Sequence, residues 1–351
     1  MTSTSPRQRP VDVLTLRSPD ALVASLPHLL GFTPRESAVV VWLRDGAILL
    51  AQRLDLPGDP ADHMAWLAAL GGHPAALEAD EMVVVVVTDG ATPELLVDRV
   101  LQWAKARGIR VRDALRWNGA RWWSLLCTDA QCCPDVGRVV APSVAAAVAA
   151  EFTVRGSAPL ADRAAVERTL APDEERVRLV LAALATEKEE PRRPSRPARE
   201  RWRDTSIERI LGRLGSDGTG GLEPSDAARI LTGLHDVRVR DTVLWELARL
   251  DAEPLMSALR TMSEAVRSAP PGLVAPAATV CAIVAWMAGD GTRAMIATER
   301  ARADDPAYSL AVLVEASVRS GLPPQAWREA TAGLSRSDCR HGARSRRRRA
   351  S

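Results

Sequence analysis

The sequence predicts a mixed α/β domain, a sheet with two hairpins and flanking helices, followed by an all-α helical domain with repeat-like helix pairs. Three observations carry this. The near-continuous apolar run Met82 to Val87 lies between segments with helical apolar spacing, as expected of a strand buried on both faces by helices. Two hairpin-type dipeptides, Asp45-Gly46 and Asn118-Gly119, each separate a pair of apolar runs. Beyond Glu187 to Arg203, a densely charged stretch with three prolines, every periodic segment has the spacing of a helix and none that of a strand. A chain of 351 residues accommodates about two domains at roughly 150 residues each. The expected organisation is a disordered N-terminus over 1–10, an α/β domain over 11–186, a linker over 187–203, a helical domain over 204–334 and a disordered basic tail over 335–351.

Val11 to Leu16 reads as a short strand. Ser18-Pro19-Asp20 then supplies an N-cap, a first-turn proline and an acid where the helix dipole favours one, so a helix starts there. Pro27 ends or kinks it near Ser25, and Gly31 closes the segment. Ser37 to Leu43 and Ala47 to Leu54 are the arms of the first hairpin. A two-residue loop at Asp45 and Gly46 sets Trp42 opposite Leu49 and Val40 opposite Ala51. Pro60 to Leu77 has helical spacing at Met64, Leu67 and Ala68, with Leu70 on the flank. After the valine strand, Thr92-Pro93-Glu94 opens a helix whose Leu96, Val100 and Trp103 share a face. Ile109 to Trp117 and Arg121 to Cys127 form the second hairpin. A turn at Asn118-Gly119 pairs Leu115 with Trp122, Asp113 with Ser124 and Val111 with Leu126. One face of this hairpin is then apolar apart from Asp113 and Ser124, and the other carries Arg110, Arg112, Arg116 and Arg121 with Trp123 and Leu125. Helices at Ser143 to Glu151 and Asp173 to Ala185 complete the domain.

The second domain is predicted as helices at Ile207 to Leu214, Ser225 to Leu234, Asp241 to Leu250, Pro254 to Arg267, Ala275 to Ala288, Gly291 to Arg302 and Ser309 to Ser320. The span from Trp286 through Gly289-Asp290-Gly291 and Asp305-Pro306-Ala307-Tyr308 to Gly321-Leu322-Pro323 resembles one tetratricopeptide-style helix pair. One unit does not make a solenoid, whose repeats bury their faces on neighbours, so a compact helical domain is expected.

Forty-six basic residues against 44 acidic ones give a net charge of +2, which excludes both a strongly basic nucleic-acid coat protein and an acidic disordered chain. Seven arginines and the single acid Asp338 fall within Ser335 to Ser351, so the basic excess is concentrated at the end of the chain. The opening MTSTSPRQRP has no apolar core of a secretory signal, and no run approaches the roughly 18 apolar residues of a membrane span. A cytoplasmic location away from membranes is therefore expected, with the five cysteines free rather than paired.

The sharpest local motif is Cys127-Thr128-Asp129-Ala130-Gln131-Cys132-Cys133-Pro134, directly after a strand. Three thiols this close suit a soft metal ion such as zinc, with His28, His63, His73 or Asp129 as candidates for a fourth ligand. Against this, the spacing is not that of a standard zinc knuckle, and adjacent Cys132 and Cys133 strain the backbone if both enter one shell. A thiolate nucleophile is the other chemistry available there. Asp113 with Ser124 is a candidate polar pair, read first as a satisfied contact. Arg121 beside Trp123 could grip an anion or a single nucleic-acid strand, or simply cover the indole. His28 sits at a helix end among apolar neighbours, where a structural role outweighs that of a general base. Asp89 follows the valine strand, at the end where α/β sheets place ligands. No Walker A lysine motif, G-x-G-x-x-G, H-E-x-x-H or G-x-S-x-G occurs, so common nucleotide and hydrolase chemistries have no support.

The chain resembles the actinobacterial domain-of-unknown-function family 4192. The carrying segments are Leu14-Thr15-Leu16 with Ser18-Pro19; Leu26-Pro27-His28-Leu29-Leu30-Gly31-Phe32-Thr33-Pro34 with Glu36-Ser37; Arg121-Trp122-Trp123-Ser124 with Cys127 and Cys132-Cys133-Pro134; Val237 to Asp241; and Gly289-Asp290-Gly291 to Asp305-Pro306-Ala307-Tyr308. The resemblance implies a cytoplasmic actinobacterial protein, makes the cysteine block a family feature and assigns no catalytic residue. The arginine-rich ending after Leu334 departs from it. The leading functional expectation is a non-catalytic binding or regulatory module with another protein or a small ligand as partner. A thiol- or metal-dependent enzyme using Cys127, Cys132 and Cys133, helped by Asp113 or His28, is the alternative. Weak nucleic-acid binding through the hairpin arginines and tail is the third reading.

Overall fold

The computed structural model describes residues 18–71, 75, 77–154, 157–186, 195–216 and 221–342. The chain divides into two compact units, Met1–Asp162 and Arg163–Ser351. The predicted strand at Val11 to Leu16 lies outside the described residues.

The first unit is built on a six-stranded sheet. Its strands are β1 (Ser37–Arg44), β2 (Ala47–Asp55), β3 (Glu81–Val87), β4 (Arg110–Trp117), β5 (Arg121–Ser124) and β6 (Arg138–Val139), in the spatial order β2-β1-β3-β4-β5-β6. Only β3 and β4 run parallel, and the helix Glu94–Lys105 joins them, as a parallel crossover requires. All of β3 is buried, as the valine run predicts, and β1 is buried up to Arg44. One face carries Ala38, Val40, Trp42, Met82 and Val84. It packs on α2 (His63–Ala69) and α3 (Glu94–Lys105) through Trp66, Leu67, Leu96, Val100 and Trp103. The opposite face lies toward α1 (Pro19–Leu30), whose Asp20 accepts a 2.5 Å hydrogen bond from the Trp122 indole. The α4 helix (Pro142–Val154) packs on α1. Ser18 caps α1 and Gly31 ends it at φ 78, as predicted, while Pro27 is accommodated inside the helix.

Both hairpins differ from the predicted register. In the first, Arg44 pairs with Ala47 across the two-residue turn, but a bulge at Trp42/Leu43 moves Trp42 opposite Leu50 and Val40 opposite Gln52. In the second, Gly119 and Ala120 occupy the turn, so Trp117 pairs with Trp122 and Leu115 with Ser124. The Asn118 side chain fixes this by accepting from the amides of Ala120 and Arg121, with Gly119 at φ 89. A shift of two residues keeps every side chain on its predicted face. Val111 and Arg110, which pairs with Glu81, are exceptions. An irregularity in the β3–β4 pairing between Met82 and Val83 aligns Val111 with Met82 and Asp113 with Val83, and Val111 joins the core of the opposite face. The helix predicted from Pro60 to Leu77 is shorter. After a 3-10 turn at Pro60–Asp62 it buries His63, Trp66 and Leu67, and leaves Met64 68% exposed.

The second unit is helical throughout its described residues: α5 (Arg163–Arg168), α6 (Glu174–Thr186), α7 (Arg196–Leu214), α8 (Pro224–His235), α9 (Val237–Leu247), α10 (Ala252–Arg267), α11 (Val274–Met287), α12 (Gly291–Asp304), α13 (Ser309–Arg319), α14 (Gln325–Ala332) and α15 (Arg336–His341). At its centre α11 is apolar on all sides and buried over its whole length. Gly289, at φ 82, turns the chain into α12, which Asp290 caps.

Three predicted bounds differ from the observed ones. The first domain closes at Asp162 instead of 186, because α6 packs on α8 of the helical unit. The predicted linker is helical from Arg196 onward, since Ser195 caps α7 and Arg203 pairs with Asp236 at 2.8 Å; residues 187–194 lie outside the described residues. The tail expected to be disordered from 335 starts as a helix. Ser335 and Asp338 form a capping box, Cys339 is buried, and Arg336 and Arg340 pair with Glu246 and Asp204. Residues 343–351 lie outside the described residues.

Candidate metal centre

Between β5 and β6 the chain folds into a knuckle that gathers three thiols. The Sγ atoms of Cys127, Cys132 and Cys133 all lie within 4.8 Å of one another. Cys127 and Cys133 are partly buried and Cys132 is exposed. The adjacent cysteines, expected to strain the backbone if both face one point, are brought toward Cys127 by a turn built on Asp129. Its carbonyl accepts from the Cys133 amide at 2.7 Å, while its carboxylate accepts from the amides of Gln131 at 2.8 Å and Cys132 at 3.4 Å. That turn swings both thiols back toward Cys127.

The knuckle is tied to the sheet at both ends. At its start, Ser124 Oγ donates to Asp113 at 2.7 Å and accepts from the amides of Leu126 and Cys127. The predicted Asp113–Ser124 contact therefore exists and anchors the first cysteine. Burial pushes the Asp113 carboxyl above its usual value, against the lowering effect of its bonds from Ser124 and the Ala114 amide. At the far end, the Trp123 indole donates to Asp135 O at 3.0 Å and Arg121 to Gly137 O at 3.0 Å, while Arg138 donates to Cys132 O at 2.6 Å. Gly137, at φ 72, lies flat against the indole. Arg116 covers the other part of this corner, 4.8 Å from the Trp123 ring, and donates to Gly90 O. The Trp123 indole N–H and one nitrogen of Arg121, both candidates for gripping an anion, are engaged inside the knuckle, while Arg121 stays exposed. Arg110 and Arg112 both pair with buried Glu81.

The thiols are not equivalent. The Asp129 amide, donating to sulfur, is the largest of the influences that hold Cys127 below the usual thiol value. Burial, reinforced by the two neighbouring thiols, pushes Cys133 up to about 11. No fourth protein ligand joins them among the described residues. His28 stacks on Phe152, with ring centroids 4.7 Å apart, and its Nδ1 lies 3.5 Å from Ser157 Oγ. His63 is buried in α2, His73 lies outside the described residues, and Asp129 is committed to the turn.

Asp89 is exposed at the end of β3, and its amide donates to Glu36 Oε1 at 3.1 Å. Thr88 Oγ1 donates to the other oxygen of Glu36 at 2.9 Å. Glu36 was not among the predicted site residues. It holds this corner from a left-handed conformation, φ 39, which no motif announces.

Fold and knuckle together define a mixed α/β unit with a three-thiol loop on its sheet edge, in one chain with a helical unit. The chain belongs to the family described as Domain of unknown function (DUF4192), whose model matches residues 19–325. No curated protein and no solved structure matches it. Among the described residues no helix is long and apolar enough to cross a membrane.

Proposed function

We propose that this protein is a cytoplasmic binding or regulatory module whose first unit holds a soft metal ion, zinc foremost, on Cys127, Cys132 and Cys133. The observation that carries the reading is the convergence of three sulfurs within 4.8 Å. Tetrahedral zinc, with Zn–S of about 2.3 Å, needs its sulfurs roughly 3.8 Å apart, so small rotamer changes suffice. The bracing of the loop at both ends supports a preformed site, because little chain entropy remains to be lost on binding. Three protein ligands leave one position for water, a small ligand or a side chain of a partner protein, which is the form of contact this reading assigns to partners. Free thiols at such spacing suit a reducing compartment, hence the cytoplasmic placement. Metal binding must displace the proton of Cys133, whose thiol sits at about 11, so affinity falls as pH falls.

The test is elemental analysis of untagged protein purified under reducing conditions, with cobalt substitution as a second readout. The expectation is one metal per chain with thiolate-to-cobalt charge transfer, both lost in the Cys127→Ser, Cys132→Ser, Cys133→Ser triple variant. Metal-free protein with three freely titratable thiols and no cobalt charge transfer overturns the reading.

A further inference from the structure

In the second unit, the side of α12 and the segment from α5 to Pro172 enclose a trough of about 500 Å³. Its walls are apolar at Ala171, Pro172, Ile296 and Ala303, and Arg168 and Arg300 line it. Its two acids are already engaged, since Arg163 bridges Glu167 and Glu299. Arg300 is different. Among the described residues seven arginines bury an Nε atom that lacks a hydrogen-bond partner, and six of them engage another nitrogen: Arg53 on Asp55, Arg116 on Gly90, Arg213 on Gly221, Arg267 on Asp173, Arg293 on Asp290 and Arg340 on Asp204. Among the described residues Arg300 has no hydrogen-bond or ion-pair partner. Asp304, one turn along α12, accepts instead from the amides of Gly272 at 2.7 Å and Ala275 at 2.9 Å, closing the start of α11. Burial accordingly lowers the Arg300 pKa, with the charge of Asp304 opposing it.

A buried guanidinium Nε without an acceptor among the described residues is costly in the empty protein and is satisfied when an anion arrives. We propose that the α5–α12 trough is a binding site for a small organic monocarboxylate, its carboxylate held in the plane of the Arg300 guanidinium and its apolar body against Pro172, Ile296 and Ala303. The planar fork of arginine matches a carboxylate in two-point contact. Inorganic phosphate has no apolar body to set against the apolar wall, so an organic carboxylate is preferred to it. The volume lies within the usual range of small-ligand pockets, about 300 to 1,000 Å³. This inference is independent of the metal reading, which concerns the other unit.

The experiment is thermal denaturation and calorimetric titration of the full chain with hexanoate, hexanamide and inorganic phosphate, repeated on Arg300→Met. Hexanoate is expected to bind saturably and raise Tm, with hexanamide and phosphate each binding roughly tenfold to a hundredfold more weakly. In Arg300→Met, hexanoate affinity is expected to drop by the same factor, while Tm without ligand stays level or rises because no partner is lost. Equal binding of hexanamide would make the trough an apolar surface only, and equal binding of phosphate a general anion site; either overturns the proposal. So does an absence of saturable hexanoate binding, or a ligand-free Tm that falls in Arg300→Met, which would mean that the guanidinium has a partner within the fold.

Discussion

Gly137→Ala tests whether the knuckle is as tightly braced as its contacts imply. At φ 72 an alanine pays the left-handed penalty of about 1–2 kcal/mol. Its Cβ would also sit 2.4 Å from Trp123 Cε2 and 2.7 Å from Cζ2, contacts that real side chains do not make. The indole cannot simply retreat, because its nitrogen is bound to Asp135 O and Arg116 lies over its ring. Overpacking of this kind costs about 1–3 kcal/mol, so the total is roughly 2–5 kcal/mol. At the sheet edge such strain is relieved by opening the knuckle rather than unfolding the unit, and the cost appears in metal binding. A floor of about 2 kcal/mol corresponds to near thirtyfold weaker affinity. Gly119→Ala is the control, with φ 89 but nothing within 4 Å of its Cβ, so it carries the backbone penalty alone. Competition against a chromophoric zinc chelator gives the affinities, and near-ultraviolet dichroism reports the indole. In a Trp123→Ala background the added cost of Gly137→Ala should shrink to the backbone penalty. A Gly137→Ala protein that binds zinc within about threefold of the parent, with unchanged dichroism, refutes the bracing argument.

Three further outcomes follow from the same contacts. Because the folded pKa of Asp113 is raised, its ionised form is disfavoured by folding, and the cost builds as pH rises from the unfolded carboxylate value to the folded one; Asp113→Asn, which keeps an acceptor for Ser124, should gain Tm at pH 7 relative to the parent and not at pH 3, and an equal change at both rejects this. In chelator-treated protein, iodoacetamide should modify Cys127 first, Cys133 late and Cys281, fully buried and pushed up to about 12, only on unfolding; mass spectrometry that finds Cys281 modified early contradicts the packing. Truncation before Ser335 removes the docked α15, its capping box and the Arg336–Glu246 and Arg340–Asp204 pairs, and should cost about 1–3 kcal/mol in urea unfolding of the helical unit; an unchanged midpoint would show that α15 contributes nothing.

The parts of the fold legible in the sequence are those set by local chemistry. The valine run, the cap at Ser18 and the left-handed Gly31 all do what their residue types require. The Asp113–Ser124 contact is available in both the expected and the observed register because the two differ by two residues, which preserves the face; the single-residue bulge at Trp42 does not have that protection. The ordered start of the tail was readable too, since Ser335 and Asp338 have capping-box spacing, but the density of arginine masked it. Tertiary properties stayed hidden. Nothing near Glu36 announces that it will clamp Thr88 and Asp89 from across the sheet, and Arg300 is unusual only once Asp304 is seen to be occupied elsewhere.

The approach of Cys132 and Cys133 to Cys127 depends on Asp129, and two substitutions separate its roles. Its carboxylate shapes the turn by accepting from the Gln131 and Cys132 amides. Its charge raises the Cys127 pKa, whereas its backbone amide lowers it. Asp129→Asn keeps an oxygen acceptor and the amide but removes the charge, so the Cys127 thiol should titrate at lower pH than in the parent while all three sulfurs stay together. Metal binding should then persist, with its loss on acidification shifted to lower pH, because less proton competition must be overcome. Asp129→Ala removes the acceptor, freeing the turn, and the loss of about 1 kcal/mol per abandoned bond falls on the geometry that converges the thiols. Its metal affinity should fall even at a pH where proton competition is weak. If both variants lose metal alike, the charge rather than the turn holds the site together; if neither does, the sulfurs converge for a reason other than Asp129.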